Sequence, residues 1–213
     1  MKLFTIPVGT LATNCYIISS ETGNCIIIDP GAQPEKIITL MHENNLTPAH
    51  ILLTHGHHDH IGGVKRLLEK FPALTVSIGA ADLEMLGDTR KSMAQLRHSD
   101  DSQFVIAKAA ALNDGDIIEA DELSVYVMHT PGHTLGGVCY ITGDVIFSGD
   151  TLFCGDVGRC DLYGGSYPTM KRSLAKLCEL EGDYAVYPGH GQSTTLEYER
   201  KNNRYILEPM PAE

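Results

Sequence analysis

Five apolar runs in this 213-residue chain each break off at, or a few residues before, a side chain that can bind a metal ion. Ile26-Ile27-Ile28 meets Asp29, and Ile51-Leu52-Leu53-Thr54 meets His55. Val125-Tyr126-Val127-Met128 leads to His133. Val145-Ile146-Phe147-Ser148-Gly149 meets Asp150, and Ala185-Val186-Tyr187-Pro188-Gly189 meets His190. Such short, β-branched-rich runs are strand signals. A rigid sheet fixes the position of its strand ends, and the loops beyond them carry the chemical groups. Glycines flank most of these polar residues (Gly56, Gly132, Gly149, Gly189, Gly191), letting the backbone turn sharply and approach a site closely.

The rest of the chain interleaves further strands with helices. Strands are expected at 3–6, 15–19, 25–28, 50–54, 74–78, 116–119, 123–129, 138–141, 145–148 and 184–187, with a hairpin turn at 22–24. Helical spacing predicts helices at 34–45, opened by Pro34, and at 62–71. Further helices are expected near 80–86, at 168–179 and at 195–203. Residues 87–116 have the weakest periodicity and read as a flap or as partial helices near a site. The class is α/β (α+β), with sheets covered by helices, and one domain is expected over 1–213.

The densest polar window is His55-Gly56-His57-His58-Asp59-His60. His55 and His57 alternate by two, so an extended chain points both imidazoles to one side. Asp59 and His60 project from the turn that follows. One metal ion could take His55 and His57, and a second could take Asp59 and His60. Each ion needs more donors, because zinc takes about four. His133, Asp150 and His190 are available, and a carboxylate such as Asp150 can bridge two ions. The four titratable groups of the His-x-His-x-Asp-His pattern, packed together, need a shared cation to justify their desolvation. His58 faces away from its neighbours, and His42, His50 and His98 lie apart from every motif; all four read as surface residues. Asp29 reads as a hydrogen-bonding support for the histidine loop. Tyr16 and Tyr163 read as core or rim residues.

Charge narrows the choice of partner. Lys and Arg number 16 against 27 Asp and Glu, so the net charge is 16 − 27 = −11. An acidic surface repels nucleic-acid phosphates and anionic membranes. The N-terminal residues lack a signal-peptide core, and no apolar run approaches the ~20 residues needed to span a bilayer. A cytoplasmic protein is expected. Its six cysteines show no CxxC spacing and read as free thiols, several buried.

The segment Thr54-His55-Gly56-His57-His58-Asp59-His60-Ile61-Gly62-Gly63 resembles the signature of the metallo-β-lactamase superfamily. His129-Thr130-Pro131-Gly132-His133-Thr134, Ser148-Gly149-Asp150-Thr151-Leu152-Phe153 and Tyr187-Pro188-Gly189-His190-Gly191 resemble its later motifs, in the same order. Within it the chain is most similar to the short glyoxalase II-like (hydroxyacylglutathione hydrolase-like) enzymes. Gly158-Arg159-Cys160-Asp161-Leu162 and Gly189-His190-Gly191-Gln192-Ser193-Thr194-Thr195 carry that likeness.

The resemblance implies a four-layer αββα sandwich with a binuclear site at one edge. It implies His55, His57 and His133 on one divalent ion, and Asp59, His60 and His190 on the other, with Asp150 bridging. Zinc is the first expectation, with iron and manganese also compatible with these donors. It implies hydrolysis of a small-molecule thioester, such as S-lactoylglutathione, by a hydroxide between the metals, in which Asp59 and Asp150 act as catalytic groups. Arg159 stands where the family has a basic residue near the thioester's peptide part, which suits a carboxylate. Asp161 replaces the aromatic residue expected two positions later. Only 213 − 190 = 23 residues follow His190, so the family's C-terminal glutathione-binding extension is expected to be absent. The alternative is a mononuclear-iron, persulfide dioxygenase-like oxidoreductase. Those proteins follow their last histidine with an acidic and aromatic pair, whereas Gly191-Gln192 follows His190 here.

Overall fold

A computed structural model describes residues 1–209. Residues 210–213 of the expected 1–213 unit lie outside the described residues. The first sheet comprises β1 (Lys2–Val8), β2 (Thr13–Ser19), β3 (Asn24–Ile28), β4 (Thr47–Leu53), β5 (Thr75–Gly79) and β6 (Ala110–Leu112), in that order. β1 to β3 are antiparallel, whereas β3 to β6 run parallel. The second sheet contains β7 (Ile117–Ala120), β8 (Leu123–His129), β9 (Val138–Thr142) and β10 (Val145–Gly149) as an antiparallel meander. A small ribbon follows, β11 (Leu152–Phe153) with β12 (Asp156–Val157). The chain then returns to the second sheet as β13 (Ala185–Pro188), parallel to β10, and β14 (Thr194–Thr195).

Strand alternation explains how two sheets make four layers. In β2, Cys15 and Ile17 face one core while Tyr16 and Ile18 face another. In β3, Cys25 and Ile27 join the first core while Ile26 and Ile28 join the second. The second core lies between the sheets, where Leu52 of β4 packs with Val125 and Val127 of β8 and Phe147 of β10. Ile146 of β10 and Met128 of β8 face a third core beyond the second sheet. Strands buried on both faces read as unbroken apolar runs, which is the pattern the sequence shows. Each fully buried Leu, Ile or Phe contributes about 1.5–3 kcal/mol of transfer free energy.

Helices close the two outer faces. α1 (Pro34–Glu43) starts on a proline, whose fixed φ suits the first helical turn, and buries Ile37 and Met41 one turn apart. α2 (His58–Ile61) is a single turn, and α3 (Val64–Lys70) buries Val64 and Leu67 against the same core. Residues 80–86 form a 3-10 helix. Residues 87–116 hold α4 (Ala94–Arg97), a 3-10 turn at Ser102–Phe104 and strand β6. On the far side α5 (Tyr167–Cys178) buries Met170, Leu174 and Leu177. The Ser166 hydroxyl caps α5 by accepting from the Thr169 N–H. α6 (Leu196–Asn202) continues into a short α7 (Arg204–Leu207).

Several short elements differ from the sequence reading. The helix expected at 62–71 is split from His58–Ile61 by Gly62-Gly63, whose backbone packs against Gly31 and Pro30. β6, β11, β12, β14 and α7 are additional: each is too short for a period to register. Among the described residues, no helix is long and apolar enough to cross a membrane.

Candidate metal centre

The strands β3, β4, β8, β10 and β13 end at one edge of the sandwich. Ligand crevices in sheets with parallel strands lie beyond carboxyl strand ends. Asp29 follows β3, His55 follows β4, His133 lies beyond β8, Asp150 follows β10 and His190 lies just past β13. The one-turn helix α2 adds Asp59 and His60. All seven residues singled out as metal ligands meet here. His55, His57 and His133 form one convergent set and Asp59, His60 and His190 another. Asp150 converges with His55 and His60. No cysteine belongs to these sets among the described residues.

The donors are aimed as well as gathered. Thr54 donates its Oγ1 hydrogen to Asp29 Oδ2 at 2.6 Å, so its oxygen can accept from His55 Nδ1 at 3.1 Å. Asp29 Oδ2 also accepts from His60 Nδ1 at 2.8 Å. His133 Nδ1 donates to the Arg159 carbonyl at 2.7 Å, and His190 Nδ1 to the Leu11 carbonyl at 3.1 Å. In each ring an acceptor at Nδ1 holds the proton there and leaves the Nε2 lone pair facing inward. His57 differs, presenting Nδ1 at 2.9 Å from His133 Nε2. Two such lone pairs repel unless a proton or a cation lies between them.

Spacing and burial fit a cation. His60 Nε2 is 3.4 Å from His190 Nε2 and 3.6 Å from Asp59 Oδ2, and His190 Nε2 is 3.2 Å from Asp59 Oδ2. A tetrahedron with arms of the usual ~2.0–2.1 Å length has edges of about 3.3 Å. Asp150 lies between the two sets: Oδ1 is 3.4 Å from His60, while Oδ2 is 3.5 Å from His133 and 3.7 Å from His190. His55 Nε2 and Asp150 Oδ1 are buried without a hydrogen-bond partner, as is His57 Nε2. A buried polar atom left unpaired costs about 1–3 kcal/mol. A shared ion would relieve that cost at His55 and Asp150.

The electrostatics agree. Burial pushes the His55 imidazolium pKa well below its usual range, and neighbouring histidines push it further. Burial and then His133 lower His57 to about 3. Both rings are therefore neutral, as metal binding requires. Burial also acts to lower His60, but Asp29, Asp59 and Asp150 together raise it to about 10. Burial acts to raise Asp59, yet His60 and His190 hold its carboxyl far below the carboxylate range. The negative field that favours positive charge at His60 is one that a divalent cation at Nε2 would satisfy in place of a proton.

Several residues that support the site carry no sequence signal. Asp82 is fully buried in the 3-10 helix after β5. Its carboxylate accepts from Gly56 N at 3.1 Å, Thr134 Oγ1 at 2.7 Å and Gly136 N at 2.6 Å. It ties the histidine loop to the His133 loop. Thr13 donates to Asp59 at 3.1 Å. Asn14 Nδ2 and Tyr16 OH donate to the Pro188 carbonyl, fixing the loop that carries His190. Gly189 is needed for close approach: a Cβ there would collide with Asp150 Oδ1.

Three histidines differ from the sequence reading. His58 is half-buried rather than solvent-facing, with Nδ1 3.1 Å from Nε2 of a half-buried His98. His50, expected at the surface, is half-buried beside Thr75 Oγ1. Arg159 lines the cavity over the donors, and Asp161 engages both prongs of its guanidinium at 2.7 and 2.8 Å. Asp161, in place of the expected aromatic residue, thus faces the arginine expected to meet substrate in an exposed ion pair. That cavity has a volume of about 410 Å³.

The chain belongs to the metallo-β-lactamase superfamily, whose profile matches residues 8–190. The hydroxyacylglutathione hydrolase GloC of Haemophilus influenzae is 32% identical, covering 97% of this chain and 98% of its own length. The crystal structure of the B3 metallo-β-lactamase BLEG-1 superposes with a TM-score of 0.89 at 32% identity, over 97% of this chain and 100% of that one. TTHA1623, crystallised in a di-iron-bound form, gives 0.84 at 34% identity, over 95% and 99% of the two chains.

Proposed function

We propose that the chain is a binuclear-metal hydrolase that cleaves a small-molecule thioester in the cytoplasm. The observation that carries this reading is the donor arrangement. Four histidines are held by acceptors at Nδ1 with Nε2 turned inward, and Asp150 spans two donor sets. His55, His57 and His133 would hold one ion; Asp59, His60 and His190 would hold the other; Asp150 would serve both. Divalent ions bound there supply Lewis acidity, which acidifies water and polarises a carbonyl oxygen. The nitrogen-rich donor set suits zinc first, and it also suits the iron seen in one relative and manganese.

The chain's own residues supply orientation. Asp29 and Thr54 lock His60 and His55, and the Arg159 carbonyl locks His133. The GloC relative supports a glyoxalase II-like substrate such as S-lactoylglutathione. Six free cysteines support a reducing compartment. The metal-loaded protein is to be assayed against S-lactoylglutathione, a series of acyl thioesters and a β-lactam. Thiol release from a thioester is expected. Cleavage of the β-lactam with no thioester turnover would overturn the substrate reading.

A further inference from the structure

We propose that Arg97, and not Arg159, is the substrate-anchoring cation of this site, and that its ligand is an anionic group, a carboxylate first, on the thiol portion of the substrate. The inference rests on the thioester reading above and deepens it. Two arginines line the cavity over the donor cluster, Arg97 and Arg159. Asp161 already engages Arg159 through both Nε and the terminal amino group. Nearby cations are spent in the same way: Arg90 pairs with Asp88 at 3.1 Å, and Lys91 pairs with Glu84. Arg97 has no ion-pair or hydrogen-bond partner among the described residues. The two carboxylates that line the cavity, Asp59 and Asp150, are committed to the histidines.

The position of Arg97 is built rather than incidental. It ends α4, whose Ala94 is fully buried in the first core. Just upstream, the carbonyl of the buried Ser92 accepts from the His58 N–H at 2.8 Å. The segment bearing Arg97 is therefore hydrogen-bonded directly to the loop that carries His57 and Asp59. Met93, in the left-handed region at φ 66°, and Leu162 add apolar lining to the same cavity. In a chain of net charge −11, an unpaired guanidinium beside the cluster is a local exception that favours an anion. A guanidinium fork matches a carboxylate in two parallel hydrogen bonds.

The test compares Arg97→Ala, Arg97→Lys and Arg159→Ala with the wild-type protein. The substrates are S-lactoylglutathione and its counterpart with both glutathione carboxylates amidated. Calorimetric binding of glutathione and of its diamide supplies a readout independent of turnover. Arg97→Ala should cut the kcat/KM preference for the carboxylate substrate about ten- to a hundredfold, mainly through KM, with a matching loss in glutathione binding. Arg97→Lys should recover part of it, and Arg159→Ala should retain the preference. An unchanged preference in Arg97→Ala, or its loss in Arg159→Ala, overturns the proposal. Equal affinity of the wild-type protein for glutathione and its diamide overturns it too. Wild-type protein that hydrolyses neither thioester refutes the thioester reading. Arg97-dependent glutathione binding would then still support the anion anchor.

Discussion

At the residue scale, the site depends on side chains that orient other side chains. One carboxylate, Asp29, serves His60 directly and His55 through Thr54. It does so from a left-handed backbone, φ 50°, which aspartate tolerates better than most residues. Asp59 is different: its carboxylate belongs to one donor set alone, so its loss should be local. Asp59→Ala should leave close to one metal ion per chain and cut thioester hydrolysis by more than about tenfold. Metal analysis and kinetics on the same sample check it; full turnover would show that one ion suffices. The seven residues that converge here were legible in the sequence because metal-binding types end apolar runs or crowd the 55–60 window. Asp82 was not, because its partners lie 26, 52 and 54 residues away and two of them are backbone amides. The His58–His98 pair was hidden by a 40-residue separation, and Asp161 at Arg159 shows only once both side chains have positions.

At the scale of elements, strands were legible and their connections less so. β3, β4 and β10 are apolar on both faces, so they register without alternation. Residues 87–116 mix a helical turn, a 3-10 turn and a three-residue strand, too little of each to set a period. The loop after β3 packs backbone to backbone against α2. A Cβ on Gly31 would fall on the Asp59 carbonyl oxygen. Gly31→Ala therefore has to push α2 away from β3. It should destabilise the fold by about 1–3 kcal/mol, and occasionally more, as overpacking does. The displaced α2 should also weaken metal binding at Asp59 and His60. Denaturant unfolding with metal titration checks both; wild-type stability and metal affinity would place the backbone contact elsewhere.

At the scale of the whole molecule, three apolar cores share strands. Neighbouring residues of β2, β3 and β4 serve different cores, and the donor-bearing loops leave this framework together. A framework tied in this way holds donors within the small tolerance that a metal site requires. The net charge of −11 takes on a second meaning here. Asp59 and Asp150 belong to it, and two divalent ions would add +4 at the edge where an anionic substrate is expected. On the proposed reading, two ions at this edge act together in hydrolysis. The direct measurement is metal content per chain on protein of known thioester activity, before and after chelation and reloading. Close to two divalent ions per chain, with activity lost and regained alongside them, is the predicted result. One iron per chain, with oxygen uptake on glutathione persulfide and no thioester hydrolysis, would contradict it.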